Sequence, residues 1–297
     1  TYCWINPTYS INTSWRKLVG QEVPYPGVDK STSTDERVYH SYYQWVCFIL
    51  AFQALLFYIP RYLWKSWEAG RFKKMLQGLN NPILNQGVKN TKRGLLVDYL
   101  YKNLGNNNTL FAVHVVTEGL NLLNVCLQIV LMDRFLGGQF TSYGWDVLWF
   151  SDWDEYVKYD PMLKVFPRLT KCTFHLYGPS GDVEKHNAYC ILRINILNEK
   201  IYLFLWFWFY FLAIITSMAL VYRAMTIFVP RVRSLSTRTR CLSTRDMLRS
   251  LCHKCQIGDW FVLDILSKNL DPLNFRDVIV DIHGLLDAKG DKLMNGF

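Results

Sequence analysis

The segment from Ile201 to Tyr222, IYLFLWFWFYFLAIITSMALVY, contains 22 residues and no charged side chain. A helix rises about 1.5 Å per residue, so about 20 apolar residues cross the hydrocarbon core of a bilayer. A buried helix of a soluble protein is rarely apolar on every face over such a length. The segment therefore predicts a transmembrane helix and an α-helical membrane protein.

Two further segments are long enough to cross a membrane. Residues 42–60 carry only two strongly polar side chains, Gln44 and Gln53, and aromatic residues stand near both ends. Residues 110–132 carry polar residues every three or four positions, which in a helix form one stripe: His114, Glu118, Asn121, Asn124 and Gln128. Because an ionisable group in lipid is costly, such a stripe favours a multi-helix bundle. A surface amphipathic helix is the alternative.

Basic residues in the loops predict the orientation of the three spans. Residues 61–109 contain nine Lys and Arg against two acids, and residues 223–297 contain six arginines between positions 231 and 249, so both are expected to be cytoplasmic. Residues 1–41 hold four bases and four acids, and residues 133–200 hold eight and nine, as expected outside the cell. This topology accounts for the net charge of +9 without a nucleic-acid partner.

Three of the eight cysteines fall in the outer segments: Cys3, Cys172 and Cys190. The outer side is oxidising and favours disulfides, yet three cysteines leave one without a partner. Residues 1–41 also lack a segment that would translocate them. Both observations favour a preceding part of the protein that holds another transmembrane helix and a fourth outer cysteine, which gives four spans with both termini cytoplasmic.

Residues 171–195, KCTFHLYGPSGDVEKHNAYCILRIN, contain two β-prone runs around a turn at Gly178–Asp182. This pattern predicts a hairpin with one cysteine on each strand. Since two short strands alone are marginal in water, cross-links to the other outer segment are expected to supply much of its rigidity.

The cytoplasmic segments show helical periodicity. Amphipathic helices are predicted beyond Pro60 and in four later runs, with Asp259 and Asp271 as helix starts: VKNTKRGLLVDYLYKNL (88–104), DMLRSLCHKC (246–255), DWFVLDILSKNL (259–270) and DPLNFRDVIVDIHGLL (271–286). They indicate a cytoplasmic helical domain. Its arginine-rich segment is either solvated or in contact with acidic headgroups.

Neither a metal site nor a catalytic site is expected. Cys252 and Cys255 have the spacing of half a zinc site, but no second pair stands nearby, so reduced cysteines are favoured. His114 and Glu118 share a helix face, where hydrogen bonding between helices is favoured over a metal or proton site. A nucleophile elbow, a metal-ligand quartet and a glycine-rich phosphate loop are all missing from the sequence, which weighs against an enzyme.

Longer motifs resemble the innexins, the gap-junction channel proteins of invertebrates, and most closely the insect members. The family signature is matched by Tyr42, Tyr43, Gln44, Trp45 and Val46, which open a span ending at Pro60. The similarity extends over nearly the whole chain, in these stretches: TYCWI (1–5), FYIPRYLWKSWEAGR (57–71), FPRLTKCTFHLYGPSG (166–181), NEKIYLFLWFWF (198–209) and IGDWF (257–261).

The resemblance implies a four-helix transmembrane bundle whose two extracellular loops carry two cysteines each. It implies a Cys3–Cys172 disulfide and pairs Cys190 with a first-loop cysteine outside this sequence. Identical or related innexin subunits are expected to form a ring of about six to eight. Two such rings dock across the plasma membranes of adjacent cells at gap junctions and pass ions and small metabolites. Membrane lipids are further partners, and no cofactor is expected.

Within that channel, Gln53 is expected to face the pore or a neighbouring subunit. Three other functions remain open. An undocked hemichannel that releases small molecules is favoured if a glycan occupies the sequon Asn12-Thr13-Ser14 near the docking face. A non-conducting adhesion or scaffold protein is the second, and a membrane enzyme, which needs clustered titratable groups that the sequence does not show, is the third.

Overall fold

A computed structural model of the chain describes residues 2–30, 36–79, 85–150, 160–241, 247, 251 and 255–294. Within these ranges three helices are long and apolar enough to cross a membrane. In chain order, the first membrane helix is Val46–Glu68, the second is Asn108–Phe135 and the third is Arg193–Phe228. The second and third contain the predicted segments 110–132 and 201–222 and extend beyond them, whereas the first contains residues 46–60 of the predicted segment 42–60.

The first membrane helix differs most from the sequence pattern. It begins at Val46 because Tyr42–Gln44 form a separate 3-10 turn, and it continues through Pro60 to Glu68. The helix therefore includes the start of the run beyond Pro60 for which helical periodicity was predicted, and Pro60 as the end of the membrane span stays a prediction. A proline inside a helix costs about 3 kcal/mol, and neighbouring helices in a membrane protein offset such a cost. The chain turns away at Ala69 and Gly70, with φ values of +50° and +68°, of which the second suits glycine.

The chain divides into two compact units, of which the first comprises Thr1–Phe57 and Leu123–Ile215. This unit contains an antiparallel sheet in the order β2-β1-β3-β4, with the strands β1 (Thr8–Ile11), β2 (Arg37–His40), β3 (Leu169–Tyr177) and β4 (Val183–Ile191). The predicted hairpin is confirmed, since β3 and β4 pair along their whole length around the turn Gly178–Asp182.

An aromatic core packs beside that sheet in the first unit. Its fully buried side chains come from the short helix Phe140–Leu148, from the segment before β3 and from the third membrane helix: Phe140, Tyr143, Phe166 and Tyr202. Trp206 joins them and lies against Gly144, where a Cβ atom would overlap the indole ring. Its indole nitrogen donates to the carbonyl of Thr141 at 3.1 Å. The core therefore ties the segment after the second membrane helix to the third.

The second unit comprises Tyr58–Leu122 and Thr216–Phe297 and is helical throughout its described residues. Besides parts of the membrane helices it contains the helices Arg71–Leu76, Gln86–Lys102, Pro230–Arg238, Ile257–Asn269 and Pro272–Met294. The last two of these helices contribute much of its core, with Trp260, Phe261, Leu266 and Phe275 buried, and the helix Gln86–Lys102 adds Leu96, Val97 and Leu100.

The helices predicted at 88–104, 259–270 and 271–286 are confirmed, but the second is buried on nearly every side and not amphipathic, and one helix start is corrected. Gln256, not Asp259, caps the helix Ile257–Asn269, and Asp259 lies in its first turn. The Asp259 carboxylate accepts from the backbone nitrogens of Gln256 at 3.2 Å and Gly105 at 3.0 Å. Asp271 does precede its helix, as predicted. The run 246–255, including Cys252, lies largely outside the described residues.

Candidate functional site

A disulfide joins the two outer segments in the first unit. It links Cys3, in the short helix Tyr2–Ile5, to the buried Cys172 of β3, with the Cα atoms 5.7 Å apart. The two cysteines are separated by 169 positions in sequence. The bond, which is the one implied by the innexin resemblance, therefore fixes the start of the chain to the hairpin.

Cys190 lies on β4 opposite Thr170 and has no disulfide partner in the described part of the chain. It is partly buried, and burial raises the pKa of its thiol above the usual value. A thiol held in its neutral form is a poor nucleophile, so Cys190 lacks the environment of a catalytic cysteine. Its pairing with a cysteine outside this sequence stays a prediction.

The signature residues Tyr43 and Gln44 hold the short helix Tyr2–Ile5 in place. The Tyr43 hydroxyl donates to the carbonyl of Cys3 at 3.2 Å and lies 3.0 Å from that of Asn6. The Gln44 amide donates to the carbonyls of Trp4 at 2.6 Å and Ile5 at 2.9 Å. These bonds satisfy carbonyls that a one-turn helix leaves open.

Tyr42 makes the equivalent connection to the second outer segment. Its hydroxyl donates to the carbonyl of Val165 at 3.2 Å and accepts from the Asn195 amide at 3.0 Å, which also donates to the carbonyl of Pro167. The other signature residues have different roles: Val46 is buried in the aromatic core, Trp45 is exposed, and Pro60 is buried in the other unit. Tyr42–Gln44 thus connect both outer segments to the start of the first membrane helix.

An ion pair between a buried carboxylate and a partly exposed arginine in the same region was not predicted from the sequence. Glu199, in the third membrane helix, is 0 % exposed, and both its oxygens accept from the guanidinium of Arg168, at 2.8 and 3.2 Å. The Glu199 carboxylate raises the pKa of Arg168. The Tyr143 hydroxyl donates to the backbone carbonyl of Glu199 at 2.9 Å. The available signal was a charged residue two positions before the apolar run, which a membrane helix tolerates only with a partner.

The sheet also contains a buried histidine. His40 ends β2, and its Nε2 lies 2.8 Å from the hydroxyl of Ser10 on β1. Burial disfavours the charged imidazolium and lowers the pKa of His40 to about 4. Between pH 6.5 and pH 4 the unfolded chain binds a proton at His40 and the folded chain does not, so acidification favours unfolding.

We expect the free energy of unfolding of the first unit to fall by about 2 kcal/mol between pH 7 and pH 5 because of His40. Thermal unfolding of the purified protein in detergent at both pH values measures this. The variant His40→Gln should lose that part of the pH dependence. The control His175→Gln, an exposed histidine of β3, should keep it. Equal pH dependence in His40→Gln and the parent protein would contradict the assignment.

In the second unit, the polar stripe meets an arginine from another membrane helix. The Glu118 carboxylate accepts two bonds from Arg223 of the third membrane helix, at 2.6 and 2.8 Å. His114 Nε2 lies 3.1 Å from the Arg223 Nη2 atom and 3.1 Å from a Glu118 oxygen. The rings of Trp64 and Phe261 pack on His114 with centroids 4.6 and 4.7 Å away. The geometry is that of an ion pair between helices; the sequence favoured hydrogen bonding between helices for His114 and Glu118, but it did not identify Arg223 as the partner.

Of the other polar residues singled out on the membrane helices, some are buried and one is exposed. Gln128 is fully buried and its amide lies 3.3 Å from the Asn124 side-chain oxygen, whereas Asn121 is exposed. Gln53 is only 4 % exposed. This burial fits a packing role within the chain, and a role for Gln53 at the pore or at a neighbouring subunit stays a prediction.

The sequon asparagine lies on the surface of the first unit. Asn12 is exposed at the start of a 3-10 turn, and its side chain donates to Glu36 at 3.0 Å. The β1–β3 register sets Tyr9 opposite Lys171, so Asn12 comes opposite residue 168. At about 3.3 Å per residue, Asn12 is about 30 Å along the strand from the turn at Gly178.

Comparison with known proteins agrees with these features. The family model described as Innexin matches residues 1–284. Innexin inx2 of Schistocerca americana is 48 % identical over 291 residues, covering 97 % of this chain and 81 % of the relative. Innexin inx2 of Drosophila melanogaster is 48 % identical, with 95 % and 77 % covered, and innexin shaking-B of the same species is 45 % identical, with 95 % and 76 % covered. The chain therefore belongs to the innexin family, the plasma-membrane proteins whose subunits assemble into gap-junction channels.

Proposed function

We propose that about six to eight copies of this chain, or of it and related innexins, form a ring, and that two rings dock across the gap between cells. In this proposal residues 1–41 and 133–200 are extracellular and residues 61–109 and 223–297 are cytoplasmic. Ions and small metabolites pass through the paired rings. The protein acts as a channel and not as an enzyme, and it needs no cofactor.

The observation that carries the docking proposal is the β3–β4 hairpin, which is cross-linked at its base and exposed at its tip. Around the turn, large apolar side chains face solvent in the single chain: Leu176, Tyr177 and Val183, with Tyr177 80 % exposed. Exposed apolar residues grouped on a rigid element are typical of protein–protein contacts. The Cys3–Cys172 disulfide reduces the entropy that docking would otherwise lose by ordering the hairpin.

The position of Cys190 fits the same proposal. It lies on β4, the edge strand of the sheet, so another chain segment can approach it without displacing a strand. We propose that the first-loop cysteine implied by the family pairs with Cys190. Two disulfides would then brace both strands of the hairpin.

The docking proposal is tested by attaching a glycan to the hairpin tip. The double variant Asp182→Asn/Glu184→Thr creates a sequon beside the turn. When the full-length protein is expressed in paired cells, this variant is expected to abolish electrical coupling while single cells keep their membrane current. The matched control Asp182→Asn makes no sequon and is expected to couple like the parent. Undiminished coupling with a fully occupied glycan, seen as a shifted gel band, would disprove docking through the tip.

The undocked hemichannel is the second candidate, and it depends on Asn12. A glycan at Asn12 would lie about 30 Å along the strand from the turn, which weakens the argument that it blocks docking at the tip. If paired cells are electrically coupled while Asn12 is glycosylated, a glycan at Asn12 does not block docking. Current in single cells without coupling would favour the hemichannel, and silence in both would favour an obligatory partner subunit or a scaffold.

A further inference from the structure

A cavity of about 580 Å³ opens on the second unit between the helices Arg71–Leu76 and Gln86–Lys102. Three cationic side chains line it, Arg71, Lys74 and Lys92. The Lys92 ammonium lies against the backbone at Gly78, where a Cβ atom would collide with it. The cavity thus gathers three positive charges from two helices.

These three charges are uncompensated in the described part of the chain. The neighbouring Arg93 does have acidic partners, since it bonds Asp277 at 2.9 Å and Asp281 at 3.0 Å. By contrast, the sequence from 69 to 97 contains no Asp or Glu at all. Like charges brought together on a rigid surface repel one another unless an anion binds between them. The cavity is therefore suited to an anion.

The other walls of the cavity are apolar. Leu79 and Leu96 are buried at its floor, while Leu95 is 67 % exposed and Tyr99 is partly exposed at its side. A small hydrophilic anion would leave Leu95 and Tyr99 in water, whereas an amphiphile covers them and contacts the cations at once.

The position of the cavity residues in the sequence, next to a membrane helix, indicates which kind of amphiphile can reach the cavity. The helix Arg71–Leu76 starts three residues after the first membrane helix ends at Glu68. The cavity residues therefore follow directly on a segment that leaves the bilayer on the side proposed to be cytoplasmic. Basic clusters immediately beside a membrane helix on that side attract anionic lipid headgroups.

We propose that this cavity binds a phosphoinositide of the inner leaflet. Arg71, Lys74 and Lys92 contact the phosphates of the headgroup, and Leu95 and Tyr99 contact the glycerol and upper acyl carbons. The proposal rests on the cytoplasmic location proposed for residues 61–109, but not on ring docking.

The test is binding of a short-chain phosphoinositide bisphosphate to the purified full-length protein in detergent, measured by native mass spectrometry. The variant Lys74→Gln/Lys92→Gln is expected to bind the lipid about tenfold more weakly or worse. The control Lys73→Gln/Lys89→Gln removes the same charge outside the cavity and is expected to bind like the parent. Thermal unfolding of both variants shows whether they fold. Equal affinity in the two folded variants would overturn the proposal.

A second arm distinguishes the lipid from a free phosphate compound. The soluble headgroup, inositol trisphosphate, is expected to bind more weakly than the short-chain lipid, and Leu95→Asn should reduce lipid binding without changing headgroup binding. If the headgroup binds as tightly as the lipid, a soluble polyphosphate is the ligand and the lipid assignment is wrong. Since no cell pair is involved, these results are independent of any failure of docking.

Discussion

Replacing Arg168 with alanine is expected to lower the free energy of unfolding of the first unit by about 3 kcal/mol. The substitution leaves the Glu199 carboxylate, which is fully buried, with the exposed Lys200 at 3.5 Å as its remaining cation among the residues that the structure describes. An unpaired charge in such a site loses its hydration without compensation. Thermal unfolding in detergent and the amount of protein at the cell surface measure the loss.

Two further variants distinguish the effect of an unpaired buried charge from the effect of any other disturbance at that site. The double variant Arg168→Met/Glu199→Gln removes both charges and is expected to regain much of the lost stability, because no charge stays buried alone. Lys200→Ala, which removes an exposed cation next to Glu199, is expected to change stability by less than about 0.5 kcal/mol. An Arg168→Ala protein as stable as the parent would show that Glu199 does not depend on Arg168.

Arg223→Leu is expected to have a comparably large effect, because it leaves Glu118 without its cation between two membrane helices. The pair has two hydrogen bonds, at 2.6 and 2.8 Å, and loss of one partner costs about 3 kcal/mol in a medium of low polarity. We expect much less protein at the cell surface, measured by surface biotinylation, and a lower unfolding temperature in detergent.

The double variant Glu118→Leu/Arg223→Leu is the informative comparison for this pair. It is expected to restore surface expression, since a leucine pair suits a helix interface better than one unpaired carboxylate. Arg231→Leu, an exposed arginine in the helix Pro230–Arg238, serves as the control and should behave like the parent. If Arg223→Leu alone reached the surface normally, His114 or water would be sufficient to compensate Glu118.

The membrane helices and the hairpin were predictable from sequence because each depends on a local property. Ile201–Tyr222 is apolar for long enough to span a bilayer, and Gly178–Asp182 supplies a turn between two β-prone runs. The disulfide between Cys3 and Cys172 was implied by family resemblance only. From the sequence alone, without the resemblance, the pairing of these cysteines could not be determined.

The ion pairs were not predictable because each depends on how elements approach one another. The predicted segment ends at Tyr222 because the next residue, Arg223, is charged. The helix continues to Phe228, however, and Arg223 lies within it and bonds Glu118 of the second membrane helix. Gln53 was recognisable as a polar residue of a membrane helix, but the neighbours that cover it were not predictable. The signature residues were recognisable as a family motif, but the hydrogen bonds that their side chains make could not be predicted from the sequence.

The hydrogen bonds made by Tyr43 and Gln44 imply that the donor residues tolerate substitution less well than the residues of the helix Tyr2–Ile5 that accept these bonds. The donors are side chains, but the acceptors in the helix Tyr2–Ile5 are main-chain carbonyls, which every amino acid provides. Trp4 and Ile5 can therefore be exchanged without removing a bonding atom, whereas any residue that replaces Gln44 must bring a donor of the same reach. The short helix can diversify under selection while its attachment stays unchanged.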